Sequence, residues 1–280
     1  MTYKKKILFL TVLIFVFVSF FIFFNLQHKN SNKLSIFKKC FIEEKNFIPK
    51  DSIIVVGHAY GSPLNANNKD FISKKLVKFL DINKNNINKL ILTGDVFWEP
   101  TLIKWNKLHN DYSEYFEIHI APGNHEVDGT ERLSIFKKSN FNVNEFYSIK
   151  NTEQDYYVIE NSFINNWQLS SKLIKQINKN PKQDIYLFRH NIPVKELIQF
   201  ANSKHLLSKK LFKTKKLYKN VSKLKSLTII SGDSGGFIHL PRITCHEFNN
   251  IRFITNGIAD IDEDKILILN HRSMYTYTLK

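Results

Sequence analysis

Short apolar runs, each ending in a loop rich in Gly, Asp, Asn or His, constrain this chain more than any other feature. Asp51–Val56 leads into Gly57-His58-Ala59-Tyr60-Gly61, Leu90–Leu92 into Thr93-Gly94-Asp95, and Ile118–Ala121 into Pro122-Gly123-Asn124-His125-Glu126. Tyr186–Phe188 runs into Arg189-His190-Asn191, and Leu227–Ile230 into Ser231-Gly232-Asp233-Ser234-Gly235-Gly236. Runs of this length and composition read as buried strands. Their tips would set carboxylates, an amide oxygen and imidazoles along one sheet edge. Such a set can ligate a divalent cation with a proton donor or phosphate-binding group beside it. One such loop alone is ordinary turn chemistry, because Asp, Asn and Gly suit caps and tight turns. Their recurrence in order, each after a strand-like run, is not.

Between these runs the pattern turns helical. Phe71, Leu76, Phe79 and Leu80 give one apolar face, and Leu169, Leu173, Ile174 and Ile177 give another within a helix expected over 167–178. A strand is expected at Tyr156–Asn161. The alternation predicts an α/β sheet with helices packed on it. Ile251–Thr255, Lys265–Asn270 and Met274–Leu279 are alternating runs that read as strands. The lysine-rich stretch 203–225 reads as a helix-forming insertion or surface lobe. Residues 51–280 are enough for one large domain with a substantial core.

Ahead of that domain, Ile7–Leu26 is an uncharged apolar run of twenty residues. As a helix rising about 1.5 Å per residue it would cross a hydrocarbon core of about 30 Å. A cleaved signal peptide would have a shorter apolar region and a small-residue cleavage site, so an uncleaved anchor is expected. Residues 1–6 form its basic flank and 27–50 a polar stem. Lysines lie on both sides, and the tight cluster Lys4-Lys5-Lys6 favours an inside amino terminus with the domain exported. Residues 1–39 contribute seven of the sixteen net positive charges, leaving +9 for the rest. That excess suits anionic headgroups or phosphorylated substrates. No nucleic-acid-binding module is recognisable, and nucleic acid is not an expected partner.

On its ordered loops the chain resembles the calcineurin-like metallophosphoesterases, from roughly Ser52 to Gly236. The resemblance implies a two-sheet β-sandwich flanked by helices (αββα) and hydrolysis of a phosphate ester by attack of a metal-activated water. It makes Asp95 the bridging ligand, Asn124, His190 and Asp233 further ligands, and His125 the residue that meets the scissile phosphate. At the two ends the chain departs from the family. His58 stands where the family has Asp, Tyr60 where it has His, and Gly235 where it has the last His. One metal site therefore keeps Asp95, Asn124, His190 and Asp233, while the other is weakened or reorganised around His58. One or two ions of manganese, iron or zinc are implied. Arg189 is a candidate for neutralising the bound phosphate, its other reading being a surface arginine. The substrate implied is phosphorylated: a small molecule, a lipid-linked compound or a glycan. The altered end loops leave open a degenerate relative acting as a binding or assembly factor in an envelope or glycan pathway. Cys40 and Cys245 could pair in an oxidising compartment or remain free thiols.

Overall fold

A computed structural model of the protein describes residues 37–61, 70–163, 169–192, 214–235 and 242–280. The apolar runs form strands whose side chains alternate between two buried layers. In the strand Ser52–Val56 (β3), Ile53 and Val55 join one cluster, and Ile54 and Val56 join another. A strand buried on both faces needs no polar alternation, which is why it reads as a continuous apolar run.

The first sheet has six strands, in the order Glu43–Glu44 (β2), Ser273–Thr278 (β13), Lys265–Asn270 (β12), β3, Ile87–Leu92 (β4) and Glu117–Ile120 (β5). β3, β4 and β5 run parallel, and β12 closes antiparallel on β3 with Leu267 opposite Val55. The second sheet has seven, in the order Lys38–Lys39 (β1), Ile243–Phe248 (β10), Ile251–Asn256 (β11), Ser226–Ser231 (β9), Asp184–Arg189 (β8), Asp155–Glu160 (β7) and Phe146–Asn151 (β6). Here β7, β8, β9 and β11 are parallel.

Between the sheets lies an apolar layer built from Ile53, Val55, Ile91, Leu267 and Leu269 of the first and Tyr157, Ile159, Phe188, Ile230 and Ile254 of the second. The outer face of the first sheet packs on the helices Lys74–Asn83 (α1) and Leu102–Tyr112 (α2), through Leu76, Phe79, Leu80, Trp105, Leu108 and Tyr112. Trp105 meets Phe97 edge-on at 4.6 Å and also touches Phe136 and Phe141. Each such aromatic pair adds roughly 0.5–1.5 kcal/mol beyond its buried area. This cluster anchors the loop that follows β4. Thr101 caps α2 by accepting from the Lys104 N–H at 3.3 Å. On the second sheet, Gln176 of Ser171–Ile177 (α5) donates to the Tyr156 hydroxyl at 3.2 Å, and Leu217 and Val221 of Thr214–Val221 (α6) are buried. Two short helices, Asn124–Val127 (α3) and Thr130–Lys137 (α4), follow β5.

Two sheets and their helices thus accord with the expected mixed α/β architecture. The folded body begins at Lys39, earlier than the Asp51 start read from the sequence. β2 pairs with β13, Ile48 is buried, and Cys40 forms a disulfide with Cys245 of β10. Residues 39–50 therefore belong to the domain and are not a stem. The expected anchor Ile7–Leu26 lies outside the described residues, as do 203–213 of the lysine-rich stretch, whose remainder includes α6. Among the described residues no helix is long and apolar enough to cross a membrane.

Candidate metal centre

The loops leaving the carboxyl ends of the parallel strands are stitched to one another across the two sheets. Thr93 after β4 accepts from His190 Nδ1 after β8 at 2.9 Å, and its hydroxyl donates to Asn256 Oδ1 at 3.1 Å. Gly57 after β3 accepts from the Ile258 N–H at 3.0 Å, and the Gly232 N–H donates to the His190 carbonyl at 3.0 Å. Crevices beyond strand carboxyl ends are where α/β sheets place their ligands.

Two of the loops bend through left-handed backbone. His58 has φ 50° and Asp95 φ 55°, a conformation uncommon for residues other than glycine but in which Asp and His are over-represented. The His58 N–H donates to the Gly94 carbonyl at 3.1 Å, locking the two turns together. Gly94, at φ 85°, leaves room that a Cβ would take from the His190 ring.

The side chains these loops deliver converge. His58 Nε2 lies 3.3 Å from Asp95 Oδ2 and 3.7 Å from Asp233 Oδ1. His190 Nε2 lies 3.5 Å from Asp95 Oδ1 and 3.5 Å from Asp233 Oδ1. All four residues are buried. Neither ring nitrogen of His58, nor Nε2 of His190, has a hydrogen-bond partner. Buried polar atoms are seldom left so, and an unpaired imidazole nitrogen facing carboxylates fits a cation. Donors around a four-coordinate ion with ligand distances of about 2.0–2.2 Å stand roughly 3.4 Å apart, and the four imidazole–carboxylate distances here run from 3.3 to 3.7 Å. Burial opposes charge on His190, but Asp95, Asp233, the Thr93 carbonyl and Glu126 together raise its pKa. Burial would raise the Asp95 carboxyl, yet His190, His58 and His125 hold it below its ordinary value. The pocket favours positive charge at its centre.

Beside this cluster, His125 Nδ1 hydrogen bonds to the Trp98 carbonyl at 2.7 Å, and the His125 N–H donates to Asp95 Oδ1 at 3.2 Å. Its Nε2 stands 3.9 Å from Asp95 Oδ2. The carbonyl fixes a proton on Nδ1 and leaves Nε2 for exchange. The Tyr60 ring packs against His58, His125 and Trp98 at 5.3, 5.3 and 5.6 Å.

The sequence profile of the calcineurin-like phosphoesterase family matches residues 65–278. The chain belongs to that family. Among curated proteins none matches this chain. Among solved structures, the crystal structure of the phosphopantetheinyl hydrolase PptH from Mycobacterium tuberculosis is similar at 12% identity and a TM-score of 0.43, over 76% of this chain and 92% of that one.

Within the family's site the structure brings together His58, Asp95, His125, His190 and Asp233. Asn124 opens α3 one residue before His125, and no hydrogen bond ties its side chain to the cluster. The His58 ring converges with His190 and Asp233, because the left-handed turn at residue 58 directs it at Asp95.

Tyr60 is wall and not ligand: burial, then the charges of Asp95, Asp233 and Glu126, push its phenol above its ordinary value. Arg189 is not a surface residue. It is fully buried on β8, with its guanidinium 3.3 Å from Glu160 on the neighbouring strand β7.

Glu126 was not singled out from the sequence, although it ends the Gly-Asn-His-Glu loop. Its buried carboxylate accepts from the N–H groups of Asp95 at 2.8 Å, Val96 at 2.9 Å and Gly123 at 2.7 Å. It pins the Asp95 loop to the Asn124 loop. A carboxylate that ends a Gly-Asn-His turn, three residues after its glycine, was the available signal.

Proposed function

We propose that the protein is a metal-dependent phosphoesterase held at a membrane by its amino-terminal segment. The observation that carries the metal dependence is the buried set of unpaired imidazole nitrogens facing the Asp95 and Asp233 carboxylates. His58, Asp95, His190 and Asp233 would hold the cation, with Asn124 as a further oxygen donor. A divalent cation held there, of manganese, iron or zinc, would neutralise phosphoryl charge and lower the pKa of a water.

The chain's own groups do the rest. His125, fixed by the Trp98 carbonyl, presents Nε2 to the phosphoryl group and can protonate the leaving oxygen. Glu126 holds the two loops in register, so that Asp95 and His125 keep their spacing. Tyr60 and Trp98 flank His125 with aromatic surface that limits water. Positioning and preorganised charge are the main sources of rate in phosphoryl transfer.

The test is hydrolysis of p-nitrophenyl phosphate and of its diester after chelator treatment, before and after manganese is restored. Metal-restored turnover, lost in Asp95→Ala, is expected. Tight metal binding without turnover on either ester would favour the degenerate, binding-only reading.

Export is supported by the Cys40–Cys245 pair, since disulfides persist in oxidising compartments, together with the lysine cluster at residues 4–6. The apolar run 7–26 supports the anchor. Membrane fractions washed with carbonate should retain the protein, and protease should reach its domain in intact cells. A soluble product beginning near residue 27 would contradict the anchor.

A further inference from the structure

We propose that the edge of the domain carrying Phe41 and Phe47 docks on an anionic lipid surface, with both rings entering the headgroup layer and the lysines of the same segment meeting lipid phosphates. The proposal rests on the membrane anchor proposed above and adds a second, reversible contact to it.

Three observations carry it. The first is exposure imposed by the local packing. Phe41 is 89% exposed, more than any other large apolar side chain among the described residues. Its neighbours are held on both sides. Cys40 is bonded to Cys245, and its N–H donates to the Cys245 carbonyl at 3.0 Å. Cys40 and Ile42 both pack against the apolar layer between the sheets. With the residues before and after it turned inward, Phe41 is left pointing out. Phe47 repeats the arrangement, 57% exposed beside the buried Ile48.

The second is charge. Lys38, Lys39 and Lys50 are exposed on the same segment. Lys45 Nζ lies 5.3 Å from the centre of the Phe47 ring and 3.6 Å from that of Tyr275 on β13. Of the segment's two acids, Glu44 is engaged by Lys265 at 2.6 Å and accepts from the Thr278 hydroxyl at 2.6 Å. Four lysines therefore stand against Glu43 alone. Aromatic rings beside lysines suit a lipid interface, where the rings bury at the headgroup boundary and the lysines are drawn to anionic lipid.

The third is place in the chain. Phe41 follows the apolar run 7–26 by fifteen positions, at most about 50 Å of extended chain. Tethering within that reach gives lipid a high effective concentration at this face, so individually weak contacts suffice. On either side of Phe41, β1 and β2 are edge strands of the two sheets, and among the described residues no strand pairs beyond them.

The experiment is photocrosslinking of the full-length protein reconstituted in phosphatidylcholine vesicles with and without phosphatidylglycerol. The photoreactive p-benzoylphenylalanine replaces Phe41, Phe47 or, as control, Ile103. That control is 81% exposed on α2, between β4 and β5, the strands farthest from β2 in the first sheet. Phospholipid adducts at 41 and 47 at least fivefold above those at 103, and at least twofold higher with phosphatidylglycerol than without, are expected. A chain retained through a carbonate wash, with equal adducts at all three positions, would overturn the docking face and leave the anchor standing. A chain lost in that wash would overturn both. Adducts between two copies of the chain through residue 41 or 47, in place of lipid, would assign the face to self-association and overturn it as a lipid site. Adducts indifferent to phosphatidylglycerol would overturn the part given to the lysines.

Discussion

Replacing Glu126 by Gln changes one atom in the carboxylate that ties the site's two central loops together. One of its oxygens accepts from both the Asp95 and Gly123 N–H groups, and the other from Val96. The glutamine oxygen can keep the first pair. Its NH2 then faces the Val96 N–H in a buried position, leaving two donors without an acceptor. Each unsatisfied buried group costs about 1–3 kcal/mol. Against this, loss of the charge relieves the repulsion from Asp95 that, after burial, pushes the Glu126 carboxyl upward. The net expectation lies at the lower end, about 2 kcal/mol, a sizeable share of the roughly 5–15 kcal/mol that holds a typical domain folded. The same change should loosen the Asp95 turn, so manganese affinity should fall several-fold in Glu126→Gln. Urea unfolding and metal titration of the two proteins read both effects. Unfolding within about 0.5 kcal/mol of wild type, with unchanged affinity, would refute the role given to this carboxylate.

Cys245→Ser should destabilise the domain by about 5 kcal/mol on loop-closure grounds, since the bond joins residues 205 apart in sequence, and denaturation with and without reductant checks this. Burial raises the Glu160 carboxyl to about 7 from an ordinary 4.5, with Arg189 acting against the rise. The folded chain therefore keeps a proton there that the unfolded chain loses first. The stability this contributes is fully present below about 4.5 and is lost as pH rises through about 7. Glu160→Gln should flatten that decline in urea midpoints measured across the window, and an unchanged slope would place the proton elsewhere. His125→Ala should lower kcat by about a hundredfold or more, within the range for general acids, while metal content stays at the wild-type value.

Much of the fold was legible because its central strands are buried on both faces and so appear as unbroken apolar runs. The run Leu90–Leu92 lies within β4 and Tyr156–Asn161 is displaced by one residue from β7, as expected when strand ends are set by hydrogen bonding. Lys38–Lys39 and Glu43–Glu44 were illegible as strands. Two exposed charged residues have no hydrophobic period, and only tertiary pairing makes them extended. At the site, Asp95, His125, His190 and Asp233 could be read because each lies one to five residues past the end of a strand. The placement of His58 beside Asp95 was not legible, because its sequence position carries no trace of the positive φ that aims its ring. The burial of Arg189 beside Glu160 was not legible for a different reason: Glu160 lies 29 residues earlier, and only the parallel pairing of β7 with β8 brings the two together. The disulfide was open for the same reason of distance, since no spacing rule links Cys40 to Cys245.

The central claim is that Asp95, with His58, His190 and Asp233, holds a divalent cation. Elemental analysis of wild type, Asp95→Ala and His190→Ala, purified in parallel and exposed to the same metal, addresses it most directly. A bound transition metal in wild type, reduced at least tenfold in both variants, is the result expected. Equal metal content in all three proteins would contradict it and remove these residues from the centre.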